Sequence, residues 1–197
     1  MLQLIREINI LWEEVYPHLA RHIGEVYGRS DGDVLEAGPF CGVIYDLARQ
    51  HRGSSFQVAS FPSGMKGFYE DEISKRGMGD TINVVETRPS LTGVDDETAD
   101  LVVFRGALFF PSLFQIDYQA IRRVLKPGGT AFVGGGFGKY TPEEAIRPIA
   151  QRSRELNLRI GKTEVTPETI RRDLETNDIT DGFEIVTEGG LWVVLKK

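Results

Sequence analysis

Short apolar runs alternate with helix-patterned segments through most of the chain, and this alternation limits its fold more than any other feature. Val34-Leu35-Glu36-Ala37, Phe56-Gln57-Val58-Ala59-Ser60, Thr81 to Glu86, Leu101-Val102-Val103-Phe104 and Thr130-Ala131-Phe132-Val133 each read as a strand. Between them, Val43, Ile44, Leu47 and Ala48 share one helical face, a weakly patterned helix is predicted near Gly64 to Lys75, and Ile116, Ala120, Ile121, Val124 and Leu125 form another apolar face. Strand–helix–strand repeats of this length predict a parallel sheet with helices on both sides. The run 101–104 is apolar throughout, as expected of a strand covered on both faces.

Helices are predicted to flank this core. Leu4, Ile8, Leu11, Val15, Leu19, Ile23 and Val26 recur every three or four residues. Pro17 interrupts that stripe, predicting two helices or a kinked one, with Gly28 as the stop. Thr141-Pro142-Glu143-Glu144 reads as an N-cap, a first-turn proline and a capping box, Pro148 predicts a kink beyond it, and Thr166-Pro167-Glu168 opens another helix. Phe183 to Thr187 and Leu191 to Leu195, joined by Glu188-Gly189-Gly190, predict a terminal antiparallel hairpin. The expected organisation is a helical cap over 1–30 and an α/β unit over 31–197.

Composition excludes several classes of function. A single cysteine, Cys41, rules out an internal disulfide framework and an all-cysteine metal cage. A net charge of −6 and a pI near 5.2 argue against a nucleic-acid partner. The absence of a run of about 18 apolar residues argues against a membrane span, and the early charge at Arg6 and Glu7 against a secretory leader. A cytoplasmic protein is expected, and a homo-oligomer is left open.

The turn after the first strand carries the chemistry. Glu36-Ala37-Gly38-Pro39-Phe40-Cys41-Gly42 lies where an open parallel sheet takes ligands, outside the carboxyl ends of its strands. Glycines let a ligand approach the backbone, a helix N-terminus offers amides to an anion, and a strand-ending acid can accept from an ammonium group. The dinucleotide spacing G-x-G-x-x-G is missing. Cys41 at the helix start is read either as a reactive thiol or as a small loop residue, the latter preferred. His18 and His22, four apart, have no acidic or cysteine cluster to complete a metal site, and are expected at the surface.

Residues 34–42 resemble the first motif of the class I S-adenosylmethionine-dependent methyltransferases, particularly the type 11 group. Ala99-Asp100-Leu101-Val102-Val103-Phe104-Arg105-Gly106-Ala107-Leu108 resembles that family's fourth-strand motif. Ile121-Arg122-Arg123-Val124-Leu125-Lys126-Pro127-Gly128-Gly129-Thr130 resembles the segment leading into its fifth strand. The resemblance covers about residues 32–197. It implies a Rossmann-like, seven-stranded, mostly parallel α/β sheet, S-adenosylmethionine as cofactor, and methyl transfer to a small-molecule acceptor.

Carried over residue by residue, the resemblance implies cofactor contacts at Glu36, Gly38, Phe40, Cys41, Gly42, Ser60, Arg88 and Arg105, and acceptor contacts at Phe109 and Phe110. Arg105 is also placed to hold an anionic acceptor. The resemblance names no general base. Three positions depart from the family pattern. Phe40 replaces a glycine, Ser60 stands where an acid usually grips the ribose, and Thr87-Arg88-Pro89 replaces a stretch that often holds an acid near the adenine, with Glu86 close by. These departures support a second expectation, a repurposed or non-catalytic member that binds another ligand or a protein partner. Gly134-Gly135-Gly136 lacks the Lys-Ser/Thr of a phosphate loop and is read as a pocket rim. Residues 139–172 hold eight Lys/Arg against five Asp/Glu, read as a solvated helical face.

Overall fold

A computed structural model describes all 197 residues, Met1–Lys197. In chain order the elements are α1 (Leu2–Leu11), α2 (Tyr16–Tyr27), β1 (Asp33–Gly38), α3 (Val43–Arg49), β2 (Ser55–Ser60), α4 (Lys66–Lys75), β3 (Ile82–Glu86) and β4 (Ala99–Arg105). A 3₁₀ turn at Ala107–Phe109 leads to α5 (Tyr118–Val124), β5 (Leu125–Gly135), α6 (Glu143–Ile160), α7 (Pro167–Thr176), β6 (Phe183–Val186) and β7 (Leu191–Lys196).

The seven strands form one sheet in the order β3-β2-β1-β4-β5-β7-β6. β1 to β5 pair in parallel, and the β6–β7 hairpin adds antiparallel to β5. Strand order reverses between β1 and β4, so the ligand crevice of such a sheet lies at their carboxyl ends. Parallel pairing of Gly38 with Ser60, Ser60 with Glu86, and Arg105 with Gly134 brings the ends of β1 to β5 to one edge. β4 is buried along its whole length, with the apolar run Leu101–Phe104 at its centre and Asp100 and Arg105 near its ends.

Pro17 divides the N-terminal stripe into α1 and α2 and sits in the first turn of α2, where a missing amide costs nothing. α1 packs against α6 and α2 against α3, drawing the N-terminal helices over the site edge. Three local expectations need correcting. The fifth strand starts at Leu125, before the Pro-Gly-Gly turn, because Leu125 pairs with Ala99 and the ladder shifts before resuming at Leu101–Thr130. α6 begins at Glu143 with Pro142 as its cap residue and no side-chain cap; the Thr141 hydroxyl donates to the Phe137 carbonyl instead. His22 is buried, not at the surface, edge-on to Phe132 at 5.5 Å, and burial holds its pKa below the ordinary value. Thr166 caps α7 as expected, accepting from the Thr169 amide. Trp192 is fully buried and stacks on Phe132.

Candidate functional site

The turn after β1 is held by hydrogen bonds from its own chain on almost every side. Glu36 is fully buried, and its carboxylate accepts from the amides of Gly42 (2.8 Å), Val43 (3.3 Å) and Ile44 (2.9 Å). These are the free donors at the start of α3 that would otherwise receive a ligand anion. Burial pushes the Glu36 carboxyl up to about 7, against the pull of those amides and of Arg105. The acid thus caps α3 from below and keeps neither oxygen free.

The next groups along the turn are taken as well. The Tyr69 hydroxyl accepts from the Cys41 amide at 3.1 Å and donates to the Pro39 carbonyl at 2.6 Å. Asn9, reaching down from α1, donates to the same carbonyl at 2.8 Å. The Cys41 thiol is enclosed, points at the Glu36 and Gly38 carbonyls, and has its pKa raised by burial, which favours the unreactive reading. Gly38 needs its glycine: its φ is +113°, and an added Cβ would lie 2.7 Å from the Phe104 ring.

Phe40 does not have a positive φ, so the ring carries none of the backbone strain that a glycine position would impose. The ring is 2% exposed and packs against Phe110 with centroids 4.8 Å apart. It also lies over Gly106, where a Cβ would approach it to 2.5 Å. Phe40 therefore bridges the end of β1 and the end of β4, across the crevice at the strand-order reversal. The adjacent space over β2 is filled too. Phe61 meets Phe104 and Phe114 edge-on, and Phe104 stacks on Phe114 at 5.3 Å. Ser60 is fully buried and donates to the Val85 carbonyl. Glu86 accepts from Ser63 and the Gly64 amide, while the Arg88 side chain is exposed and makes no hydrogen bond.

The open space lies over β4 and β5 instead. A cavity of about 670 Å³ is lined by Phe40, Arg105, Gly106, Phe109, Phe110, Gly135, Gly136 and Phe137, with α1 contributing Ile8 and Trp12. α6 and the segment after it supply Ser153, Arg154, Asn157 and Lys162. The sequence-predicted pair Phe109 and Phe110 meets Gly135 and Gly136 of the expected glycine rim here, while Gly134 stays within β5. Of the expected cofactor residues, Phe40 and Arg105 reach this cavity, whereas Glu36, Cys41 and Ser60 are sealed beneath the turn and sheet edge. Asn9, Trp12, Tyr16, Tyr69, Arg154 and Lys162 escaped sequence reasoning. Their contacts span up to 141 residues of chain, as between Trp12 and Ser153, and local periodicity carries no signal for that.

No family model matches the chain, and no curated protein matches it. Solved structures do. A candidate S-adenosyl-L-methionine-dependent methyltransferase from Methanococcus maripaludis superposes with a TM-score of 0.79 at 24% identity, over 100% of this chain and 91% of that one. This chain has the class I methyltransferase fold. An S-adenosylmethionine-dependent methyltransferase from Aquifex aeolicus matches at TM-score 0.60 and 14% identity, covering 93% and 91%. Geranyl diphosphate C-methyltransferase from Streptomyces coelicolor, in complex with Mg²⁺, geranyl diphosphate and S-adenosyl-L-homocysteine, matches at TM-score 0.57 and 14% identity, covering 90% and 76%.

The likeness supports S-adenosylmethionine as the cofactor of this fold, and in this chain the donor half of the site is closely packed around the first turn. At the first turn Glu36 already accepts from the Gly42, Val43 and Ile44 amides, Tyr69 accepts from the Cys41 amide, and Asn9 and Tyr69 both donate to the Pro39 carbonyl. Beyond β2, Ser60 is enclosed and Phe61, Phe104 and Phe114 pack together, while Glu86 and Arg88 remain exposed at the strand ends.

Proposed function

We propose that this chain is a repurposed class I methyltransferase-fold protein that binds a small molecule in the cavity over β4 and β5. The observation that carries this reading is Phe40, whose buried ring lies on Gly106 in the crevice that an open parallel sheet offers its ligand. Around it, the turn's donors and acceptors are satisfied internally, so a ligand would have to displace good hydrogen bonds to gain equivalent ones. The residues beside the cavity bind and orient: Phe109, Phe110, Trp12 and Phe137 supply apolar walls, and Arg105 supplies charge.

A second reading, methyl transfer from S-adenosylmethionine to a small-molecule acceptor, is favoured by the likeness to structures described as dependent on that cofactor. It requires the donor to be seated beside the packed Phe40 and Phe61 rings. A thermal-shift series with S-adenosylmethionine and S-adenosylhomocysteine separates the readings. A ligand present at 100 times its dissociation constant stabilises by about 2.7 kcal/mol. No shift at about 1 mM of either compound is expected; a shift of several degrees with both would establish the second reading.

A further inference from the structure

Arg105 is a buried cation with no carboxylate paired to it. It is 4% exposed and forms no salt bridge. Its Nε donates to the Phe40 carbonyl at 2.9 Å, and Nη2 donates to Asn9 Oδ1 at 3.0 Å and to the Tyr16 hydroxyl at 2.7 Å. Nη1 makes no hydrogen bond, and it is not among the side-chain atoms walled off without a partner. Its open side is the cavity, which Arg105 lines. The rings of Trp12, Tyr16 and Phe40 lie 4.9, 5.0 and 5.8 Å from the guanidinium carbon, holding it by cation–π contact but not neutralising it. Glu36, the buried acid that feels its charge, forms no ion pair with it and is engaged by three amides. Burying a charge without a partner is costly, so a site built this way is completed by an anion.

The cavity mouth has the same sign. Arg154 and Lys162 line it and form no ion pair, against one acid, Glu164. Lys162 lies over the Phe109 ring at 4.8 Å, and desolvation holds its pKa below the ordinary value.

We propose that the cavity over β4 and β5 receives a small organic anion with an apolar body, its charged group against Nη1 of Arg105 and its body between Trp12, Phe109 and Phe110. This rests on the reading that the cavity is the ligand site, and it extends that reading to a chemical class. Electrostatic attraction by Arg154 and Lys162 at the mouth draws the anion in, and the desolvated guanidinium selects it.

The test compares 2-naphthoate with its neutral counterpart 2-naphthamide, read by calorimetry and by quenching of Trp12, on the intact chain. Naphthoate is expected to bind with a dissociation constant of about 1 mM or tighter, and the amide at least tenfold more weakly. In Arg105→Met the discrimination should disappear. Should that variant fail to fold, Arg154→Ala/Lys162→Met, which removes the two cations at the cavity mouth, is expected to weaken naphthoate several-fold and the amide much less. Equal binding of the two probes, or no binding of either, overturns the proposal, as does a rim variant with unchanged selectivity. A thermal shift with S-adenosylhomocysteine would overturn the function proposed above while leaving this discrimination intact, so the two failures are distinguishable.

Discussion

Replacing Phe40 with alanine separates the packing role of the ring from its role as a plug. The residue has an ordinary backbone conformation, so alanine adopts it without strain and without the added chain entropy of glycine. Truncating a buried phenylalanine costs about 3–5 kcal/mol. The upper part of that range is expected here, because the ring is 2% exposed and its neighbours Gly106 and Phe110 cannot follow it: Gly106 has no side chain and Phe110 is itself buried. With a total stability of about 5–15 kcal/mol, the variant should remain folded in the cold. The same truncation opens the crevice between β1 and β4. Adenosylhomocysteine affinity, measured by calorimetry on the folded variant, should rise by at least about tenfold, which corresponds to 1.4 kcal/mol. The gain is bounded, because Asn9 and Tyr69 still occupy the Pro39 carbonyl and the Cys41 amide. The reasoning fails if stability falls as forecast and affinity stays level, since something other than the ring would then exclude the ligand. A loss below about 1 kcal/mol would refute the packing itself.

Glu36→Gln tests the internal cap through pH. The folded carboxyl titrates near 7 against an ordinary 4.5, so the folded state holds its proton more tightly than the unfolded chain. The wild-type stability contribution is therefore full below about 4.5 and declines by on the order of 3 kcal/mol as pH rises through 7. Glutamine removes this slope and sets a donor against one of three amides, costing about 1–3 kcal/mol at pH 5 and less at pH 8; parallel denaturation curves for the two proteins would contradict it. Asp100→Asn addresses the opposite end of the sheet, where Asp100 accepts from Lys126 (2.7 Å), the Asp33 amide (2.9 Å) and Arg29 (3.1 Å). Burial pulls this carboxyl upward, but Lys126 and the amide prevail and hold it below its ordinary value. Its stabilisation is present above pH 3.8 and lost as pH falls through the folded value, so the variant should lose about 1–2 kcal/mol at pH 7 and show a shallower acid limb. An acid limb as steep as wild type would rule out that role.

The strand–helix alternation from Val34 to Val133 and the glycine-linked hairpin after Phe183 sufficed to predict a mostly parallel seven-stranded sheet, because strand and helix period and short turns are local properties that the order of residues records directly. Pro17 and Thr166 marked helix starts for the same reason. Where two elements competed for the same residues, local signals misled: Leu125 follows its pairing with Ala99 and not the Pro-Gly-Gly turn, and the Thr141 hydroxyl turns to Phe137 and does not cap α6. The turn from Glu36 to Gly42 was recognisable as a site from its glycines and acid. Whether its polar groups would face a ligand or the protein depended on residues far away in the chain. Tertiary structure brings Asn9 and Tyr69 onto its backbone, lays Phe40 over Gly106, and turns Glu36 under α3. It also converts a basic stretch that reads as a solvated helix face into the mouth of a cavity, through Arg154 and Lys162. A hydrogen-bonding group carries the same letter whether it is free or spent, and only the packing of distant segments decides which.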